Sequence, residues 1–248
     1  MTGVLIVTGG SRGIGAALCE LAAERGYDVV VNYSGDAAPA EDVVARVQAH
    51  GRKALAFRAD VSSEDDVRAL FDAAAELGPV TGLVNNAAIT GNTPGRLDEY
   101  AVEVVRRTLD VNVTGVFLCC REAVRRMSTR YGGDGGAIVT ISSTAARTGS
   151  AGEWVHYAAS KAAVNTLSFG LAQEVGGEGV RVNVVAPGMV DTGLHAAAGM
   201  PDRMAKYAPQ IPMGRPGAPG EIAEAVLFLL SPASSFTTGA VLEVGGGR

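Results

Sequence analysis

The chain has 248 residues, of which 21 are basic and 26 acidic, so its formal net charge is −5. A chain of this length can bury a substantial core, either as one large domain or as two small ones. Hydrophobic residues make up 47% of the chain and charged residues 19%, which excludes a disordered protein. The acidic balance gives no reason to expect a nucleic-acid partner.

The cysteines indicate a reducing compartment. Cys19, Cys119 and Cys120 are an odd number without a Cys-x-x-Cys pair, so they predict neither a disulfide framework nor a zinc site. The apolar start at residues 4–7 is too short for the core of a signal peptide, and no apolar run approaches the roughly 18 residues of a membrane span. We therefore expect a cytoplasmic protein that does not enter a membrane.

Short β-branched runs, each of the length of a strand, recur along the chain. In chain order they are residues 4–7, 29–31, 54–57, 82–84, 137–141, 180–185 and 240–244. Stretches with helical spacing lie between them, such as Ile14, Leu18 and Leu21 after the first run. This alternation predicts a single doubly wound Rossmann-type α/β domain over residues 1–248, with a seven-stranded parallel sheet and helices on both faces. The glycine-rich stretches 132–136 and 176–179 are interpreted as loops rather than as domain boundaries.

A glycine-rich turn follows the first predicted strand. The sequence Thr8-Gly9-Gly10-Ser11-Arg12-Gly13-Ile14-Gly15 ends the strand and leads into an amphipathic helix. Glycine lets a backbone approach a pyrophosphate closely, and the free N–H groups of a helix N-terminus stabilise its charge. The spacing differs from the Gly-x-Gly-x-x-Gly dinucleotide fingerprint, so an ordinary turn is an equal alternative for this motif alone.

Tyr157 and Lys161 are four residues apart in a stretch compatible with a helix, which places them on one face and about 6 Å apart along the axis. A free tyrosine has a pKa near 10, and a neighbouring ammonium stabilises the phenolate and lowers that pKa. The pair indicates a tyrosine tuned for acid–base catalysis. An isolated pair of this kind is more often a solvated surface pair, so it needs support from other motifs.

Together, the glycine turn and the Tyr157/Lys161 pair resemble the short-chain dehydrogenase/reductase family, and further motifs match in order over the whole chain. They are Asp60-Val61 after the third predicted strand, Asn85-Asn86-Ala87-Ala88 after the fourth, Asn112 in Asn112-Val113-Thr114-Gly115, Ser143 after the fifth, and Asn183 with Pro187-Gly188-Met189-Val190-Asp191-Thr192. Several ordered motifs are far more specific than any one. The chain is therefore identified as a member of this family.

The resemblance implies roles for four catalytic residues. In the family, a serine hydroxyl binds the substrate carbonyl oxygen and a tyrosine delivers or removes the proton, and these roles fall on Ser143 and Tyr157. The lysine, here Lys161, lowers the tyrosine pKa and holds the nicotinamide ribose, and the asparagine, here Asn112, orders a water that links the lysine to solvent. The cofactor-binding residues implied in the same way are Gly9, Ser11, Arg12, Gly13, Ile14, Gly15, Asn32, Tyr33, Ser34, Asp60, Val61, Asn86, Ala87, Ala88, Tyr157, Lys161, Pro187, Gly188, Val190 and Thr192.

Two departures from the family pattern bear on this site. Ala88 stands where the family usually has glycine, and we expect its methyl group to displace the cofactor slightly rather than to prevent binding. Ser143 precedes Tyr157 by one residue more than the commonest family spacing, which suggests an extra residue in the loop 145–153. Ser142 is the alternative catalytic serine, but alternation along the strand points it to the opposite face from Ser143.

The end of the second predicted strand indicates which cofactor is used. Enzymes that use NAD normally carry an acid there to accept from the ribose 2′-OH. Here the strand ends in Asn32-Tyr33-Ser34, and Asp36 is expected to lie too far along the loop. Arg12 in the glycine turn offers a cation to a 2′-phosphate. We therefore expect NADP(H), with NAD(H) as the alternative because a second basic residue is missing at the strand end, and no required metal.

Residues 189–215 are predicted to form a mobile lid over the substrate, with a rigid loop as the alternative. The segment begins after the sixth predicted strand, beside the place where open α/β sheets bind ligands. Its glycines and prolines prevent one continuous helix. Its apolar side chains suit a mainly apolar substrate, and they are Leu194, Met200, Met204, Tyr207, Ile211 and Met213.

The other candidate residues have both ordinary and functional interpretations. Glu153, Trp154 and His156 precede the catalytic helix, so they either line the substrate pocket or cap that helix. The three histidines, His50, His156 and His195, lack metal-ligand spacing. Cys119 and Cys120 are interpreted as small packing residues.

These observations predict an oxidoreductase that interconverts a ketone and a secondary alcohol, with a small-molecule substrate as its partner. A sugar dehydrogenase is an alternative, since parts of the chain resemble bacterial members labelled glucose-dehydrogenase-like or 3-oxoacyl-carrier-protein-reductase-like. An idle nucleotide sensor is an alternative of another class, although a sensor has no need of Ser143, Tyr157 and Lys161 together. Family members pair two long helices, here about 112–131 and 157–175, so we expect a homotetramer.

Overall fold

The computed structural model describes residues 3–91, 94–193, 198, 200 and 202–248. The strands in these residues are β1 (Val4–Val7), β2 (Asp28–Tyr33), β3 (Ala54–Arg58), β4 (Val80–Asn85), β5 (Gly136–Ile141), β6 (Val180–Pro187) and β7 (Val241–Val244). They form one seven-stranded sheet in the order β3-β2-β1-β4-β5-β6-β7, and every neighbouring pair is parallel. Each predicted strand is confirmed.

Helices cover both faces of this sheet. They are α1 (Gly13–Glu24), α2 (Ala38–Ala49), α3 (Glu64–Leu77), α4 (Val102–Leu109), α5 (Gly115–Met127), α6 (Ala145–Thr148), α7 (Val155–Val175), α8 (Arg203–Tyr207) and α9 (Pro219–Leu230). The architecture is therefore the predicted doubly wound α/β domain. None of the helices in the described ranges is both long and apolar enough to cross a membrane.

The apolar strand sequences are explained by burial on both faces of the sheet. Along β1, Val4 and Ile6 pack into one core layer and Leu5 and Val7 into the other, because successive side chains of a strand alternate. Residues of α3, α5 and α7 complete the first layer, and residues of α1, α2 and α9 complete the second. Since a fully buried Leu or Phe contributes about 1.5–3 kcal/mol, these two layers hold the helices against the sheet.

The helix predicted over 112–131 differs from the observed one at both ends. A turn of π-helix at Asp110–Thr114 precedes α5, and the backbone becomes extended at Ser128, so α5 ends at Met127. The Ser128 hydroxyl accepts from Arg130 N at 3.0 Å and donates to Glu178. These side-chain bonds replace the next helical turn, which the sequence pattern alone does not reveal.

The two glycine-rich stretches pack against each other as connections, although Gly136 already belongs to β5 and Gly176–Glu178 form a short 3₁₀ helix. Gly132, Gly135 and Gly179 have φ values of +85°, +87° and +80°, which only glycine adopts readily. A Cβ on Gly135 would lie 2.6 Å from the Gly179 carbonyl oxygen. The close approach of these loops fixes the start of β5 beside the start of β6, where Gly136 N donates to Gly179 O.

The strand order changes direction between β1 and β4, which are neighbours in the sheet although β2 and β3 separate them in the chain. In open α/β sheets, ligands bind outside the carboxyl ends of the strands at such a point. The fold therefore places the loops after β1, β4, β5 and β6 around one site.

Candidate active site

A cavity of about 890 Å³ opens at the carboxyl ends of β1, β4, β5 and β6. It brings together these predicted site residues: Gly9, Arg12, Gly13, Ile14, Asn86, Ala87, Ala88, Ser143, Tyr157, Lys161, Pro187, Gly188, Val190 and Thr192. The predicted residues that do not line it are Ser11, Gly15, Asn32, Tyr33, Ser34, Asp60, Val61 and Asn112.

The glycine turn forms one wall of the cavity. Gly9 and Gly13 have φ values of +61° and +54°, so the backbone curls in a way that disfavours any other residue. A Cβ on Gly15 would lie 2.4 Å from the Gly9 carbonyl oxygen, which packs α1 tightly against the turn. No side chain of the described residues caps the N-terminus of α1 at Arg12. Its N–H groups thus remain available to an anion such as a pyrophosphate.

Side chains from the neighbouring strands hold the turn in shape. Asn86 donates through Nδ2 to both Thr8 O and Gly9 O at 2.9 Å, and Thr8 Oγ1 accepts from Asn86 N at 2.9 Å. Asn32 is buried beneath the turn, where its Oδ1 accepts from Gly9 N at 3.1 Å and its Nδ2 donates to Ala59 O at 3.0 Å. The side chain of Asn32 therefore supports the turn from the side away from the cavity.

Asp36 lies closer to the turn than its place in the sequence predicts. Its carboxylate is 4.0 Å from Arg12 Nη2, and both side chains are largely exposed. Its Oδ1 also accepts from Ala38 N at 3.2 Å, so the loop folds back at the start of α2 instead of extending away. Asp36 does not line the cavity, and an exposed pair at this distance contributes little energy.

Asp60 is anchored to the start of α3. Its carboxylate accepts from Ser62 N and Oγ and from Arg107 Nη2 at 2.7 Å. Burial raises the pKa of Asp60, but the hydrogen bonds from Ser62 and Arg107 and the charge of Arg107 outweigh that effect and lower the pKa. The Asp60-Val61 motif thus fixes the loop after β3 through a charged carboxylate.

The predicted catalytic side chains meet at the other end of the cavity. Ser143 follows β5 and lines the cavity together with Tyr157, which lies in the first turn of α7. Lys161 lies one turn further along α7, with Nζ 5.6 Å from the centre of the Tyr157 ring. Nζ donates to the Ile141 carbonyl oxygen at 2.7 Å. The helical spacing of the pair and the end of β5 together produce this arrangement.

The pKa values of this pair differ from the expectation. Burial raises the pKa of Tyr157 to about 12, although the Ser143 hydroxyl and the charge of Arg203 act to lower it. Burial also lowers the pKa of Lys161 to about 8. Desolvation of the phenolate therefore exceeds the effect of the neighbouring charges, and Tyr157 is a protonated acid at neutral pH.

The two serines at the end of β5 have different environments. Ser142 is buried and its Oγ donates to the Lys161 carbonyl oxygen at 3.1 Å. Ser143 lines the cavity beside Tyr157, and its Oγ accepts from Ala145 N at 3.1 Å. Because Ser142 faces α7 and Ser143 faces the cavity together with Tyr157, the geometry favours Ser143 for a substrate contact.

Asn112 lies in the π-helical turn before α5 and is buried. Its Oδ1 accepts from Ile89 N at 2.8 Å, and its Nδ2 donates to Ile89 O at 2.9 Å and to Ser160 Oγ at 3.0 Å. These bonds occupy both amide protons. The side chain thus joins the loop after β4 to α7, and the wide π turn brings it to that position.

The substrate side of the cavity contains a charged cluster. Glu153 accepts hydrogen bonds from Arg203 of α8 and, at 2.7 Å, from Tyr207 Oη. The Arg203 guanidinium lies 4.6 Å from the centre of the Trp154 ring and 5.1 Å from that of Tyr207. Burial raises the pKa of Glu153, but the bonds from Tyr207 and Arg203 outweigh it and lower the pKa. Glu153 and Trp154 therefore line the pocket, as one of the two interpretations predicted.

His156, by contrast, does not line this cavity. It is buried, with Nε2 2.8 Å from the Thr90 carbonyl oxygen. Arg203 and Arg248 also border the cavity, and sequence reasoning missed both because no motif or periodicity marks them. Their location follows from the folding of the segment after β6 and of the C-terminus over the site.

The predicted lid is described only in part. Leu194, Gly199 and Pro201 lie outside the described residues, as does His195. Among the described apolar side chains of the segment, Tyr207 and Met189 line the cavity, Ile211 is buried, and Met213 is 66% exposed. The contacts of Arg203 and Tyr207 with Glu153 tie α8 to the loop before α7.

No group of three or more His, Cys, Asp or Glu side chains in the described part of the chain is placed to hold a metal ion. The cysteines are buried free thiols, and burial raises the pKa of Cys119 and of Cys120. A buried thiol with a raised pKa is unreactive, which agrees with a packing role.

Comparison with known proteins gives consistent matches over nearly the full length. A family model described as "Enoyl-(Acyl carrier protein) reductase" matches residues 9–248. The chain is 46% identical over 246 residues to "Uncharacterized oxidoreductase YgfF" of Escherichia coli (strain K12), covering 99% of each chain. It is 45% identical over 247 residues to cis-4-hydroxycyclohexanecarboxylate dehydrogenase of Sinomonas cyclohexanicum, covering 98% of this chain and 95% of that one.

A solved structure shows the same fold. The crystal structure of a short chain dehydrogenase from Burkholderia cenocepacia J2315 in complex with NADP superimposes with a TM-score of 0.89 at 35% identity, covering 98% of this chain and 96% of that chain. The matching family model, the near-complete coverage and the glycine turn with its neighbouring cavity lead to one conclusion: the chain belongs to the short-chain dehydrogenase/reductase family of oxidoreductases.

Proposed function

We propose that the protein is an NADP(H)-dependent oxidoreductase that interconverts a ketone and a secondary alcohol, with Tyr157 as the acid and base. The observation that carries this proposal is that Ser143, Tyr157 and Lys161 line one end of a cavity whose opposite wall is the glycine turn. An idle nucleotide sensor would not need a serine and a lysine placed around a half-buried tyrosine.

The residues present fit a dinucleotide. The left-handed conformations of Gly9 and Gly13 and the uncapped start of α1 form a cradle that a pyrophosphate fits and a Cβ would fill. Asn86, Ala87 and Ala88 from the loop after β4, and the segment from Pro187 to Thr192 after β6, would hold the rest of the molecule. When bound, the nicotinamide supplies or accepts the hydride.

The protein's own residues would hold and transfer the proton. Ser143 Oγ would donate to the substrate carbonyl oxygen, and Tyr157 Oη would donate its proton to the same oxygen as that oxygen gains charge. Lys161 would add positive charge beside Tyr157. Because the raised pKa of Tyr157 keeps it protonated at neutral pH, the site is ready for ketone reduction, whereas alcohol oxidation first needs the phenolate.

Three observations support NADP(H) over NAD(H). Arg12 lines the cavity from the glycine turn, and β2 ends without an acid in Tyr33. The Burkholderia relative was solved with NADP. The carboxylate of Asp36 opposes this choice, but its weak pair with Arg12 leaves the guanidinium free to turn to a phosphate.

The substrate side suggests a cyclic or branched ketone. Trp154, Tyr207, Met189 and Ala151 form an apolar surface beside the Glu153 and Arg203 pair. The Sinomonas relative is named for an alicyclic secondary alcohol. A sugar would need many polar partners, and Glu153 is already bonded to Arg203 and Tyr207.

The test is a panel of cyclic ketones, acyclic ketones, sugars and secondary alcohols, each with NADPH or NADH (or the oxidised forms), followed by the absorbance of the reduced nicotinamide. We expect NADPH consumption with at least one cyclic ketone and full activity in the presence of a chelator. Binding of NADPH without turnover of any compound in the panel would instead support the sensor.

We also propose that the protein is a cytoplasmic homotetramer. The three cysteines are free thiols, which suits a reducing compartment. Exposed apolar side chains occur on α5 at Phe117 and on α7 at Phe169, the two helices expected to pair between subunits. A second exposed apolar group lies near β7 at Phe228, Phe236, Val241 and Leu242.

A further inference from the structure

Arg58 is the last residue of β3, and the sheet places it directly beside the end of β2. In the parallel register, Arg58 is the partner of Tyr33. Ala59 N donates to Tyr33 O at 2.9 Å, and Arg58 Nε donates to Ser34 O at 3.3 Å. The guanidinium is therefore held against the loop that follows β2, although 24 positions separate the two residues in the chain.

The loop after β2 also contacts a second arginine, which comes from the glycine turn. Arg12 of the glycine turn lies 4.0 Å from Asp36, two residues beyond Ser34. Two guanidinium groups, one from the turn after β1 and one from the end of β3, thus contact the same short segment 34–36. They come from the two elements that flank β2 in the sheet, which is why sequence spacing does not pair them.

Arg58 is also free to bind an anion. Within the described residues, no carboxylate lies within ion-pair distance of its side chain, and its hydrogen bond to Ser34 uses Nε. The two Nη groups retain their donors, and the residue is exposed. An arginine held by one nitrogen, with its terminal nitrogens open to solvent, is suited to a phosphate.

We propose that Arg58 is the second cation of a ribose 2′-phosphate site and a determinant of the preference for NADP(H) over NAD(H). This rests on the proposed function, because sheets of this kind bind the adenosine ribose of a dinucleotide at the end of the second strand. The phosphate dianion would lie over residues 34–36, with Arg12 on one side and Arg58 on the other. The phosphate would compete with Asp36 for Arg12, whereas no carboxylate competes for Arg58. Arg58 would therefore account for much of the discrimination between NADPH and NADH.

The test compares dissociation constants for NADPH and NADH, measured by quenching of intrinsic fluorescence, in the wild type, Arg58→Gln, Arg58→Lys and Arg12→Gln. Arg68→Gln is the control, because Arg68 is an exposed arginine of α3 whose loss changes the net charge equally. We expect Arg58→Gln to weaken NADPH binding by about tenfold and to leave NADH binding within about twofold. Arg58→Lys should retain part of the preference, and Arg68→Gln all of it.

The salt dependence gives a second readout. Raising the salt concentration should weaken NADPH binding less in Arg58→Gln than in the wild type, because one exposed charge contact is missing. An unchanged ratio of NADPH to NADH affinity in Arg58→Gln, with a wild-type preference for NADPH, would overturn the role of Arg58 alone. A wild type that binds NADH more tightly would overturn the cofactor preference in the proposed function and this role with it.

Discussion

Ser142 and Ser143 are adjacent in the chain, yet we predict opposite consequences when each is changed to alanine. Ser143→Ala should lower kcat by about 10²–10³, because it removes a donor aimed at the developing charge on the substrate oxygen. Ser142→Ala should leave kcat within about threefold and cost about 1 kcal/mol of stability, because it removes a buried bond to the Lys161 carbonyl oxygen. Steady-state kinetics and denaturant unfolding of both variants check this. The reverse pattern would assign the catalytic role to Ser142.

Lys161 should make stability depend on pH in the free protein. Burial lowers its pKa from 10.5 in the unfolded chain to about 8 in the folded one, so the unfolded chain binds more protons between these values. The free energy of unfolding should therefore rise between pH 8 and pH 10 relative to Lys161→Met, by up to about 1.4 kcal/mol per pH unit. Below pH 8 the two proteins should show parallel pH dependence. Parallel curves of unfolding free energy against pH for the wild type and Lys161→Met, up to pH 10, would contradict the lowered pKa of Lys161.

Among individual residues, the sequence predicts those that belong to local motifs. It does not predict those that come together only when the chain folds. Tyr157 and Lys161 are one helical turn apart, so spacing alone pairs them. Arg203 reaches the cavity only through the path of the segment after β6, and Arg58 reaches the end of β2 only through the strand register. The raised pKa of Tyr157 could not be predicted from the sequence either, since it depends on burial that no motif encodes.

The short helix α8 is tied to the loop before α7 by the Glu153 and Arg203 pair, in which both side chains are largely buried. We predict that Glu153→Gln speeds amide hydrogen exchange in Arg203–Tyr207 by about tenfold or more and raises KM more than it lowers kcat. Bound cofactor and substrate should slow exchange in the wild type, as a lid requires. Glu243→Gln, which breaks the exposed pair with Arg147, is the control. Slow exchange that neither Glu153→Gln nor ligands alter would leave the segment a rigid loop.

Strands were easier to predict than helix ends. The apolar run Val4–Val7 of β1 is dictated by burial on both faces of the sheet, which the sequence displays directly. The end of α5 depends on the Ser128 hydroxyl, and the π turn before it depends on the bonds of Asn112 to Ile89. The end of α5 and the π turn both depend on single side chains with partners on other elements. The hydrophobic periodicity of the sequence therefore does not predict them.

For the whole molecule, two separate exposed apolar groups predict two kinds of subunit interface. Phe117 is 59% exposed on α5, whereas its neighbours Val116 and Cys120 belong to the core. Phe117→Asp should therefore separate a tetramer into dimers that keep the interface near β7, where Phe236 is fully exposed. Gln48→Asp, on the exposed face of α2, adds the same charge as a control. Light scattering that shows a wild-type monomer at micromolar concentration would rule out the tetramer.

Proton transfer by Tyr157, while the nicotinamide transfers the hydride, is the step on which the proposed function depends. Its most direct test is Tyr157→Phe, which removes the hydroxyl and leaves the ring that packs beside Lys161. For a ketone that the wild type reduces, we predict that the variant binds NADPH with an unchanged dissociation constant and consumes it about 10² to 10⁴ times more slowly, read by the absorbance of the reduced nicotinamide. A variant that retains more than about a tenth of the wild-type rate would contradict proton transfer by Tyr157.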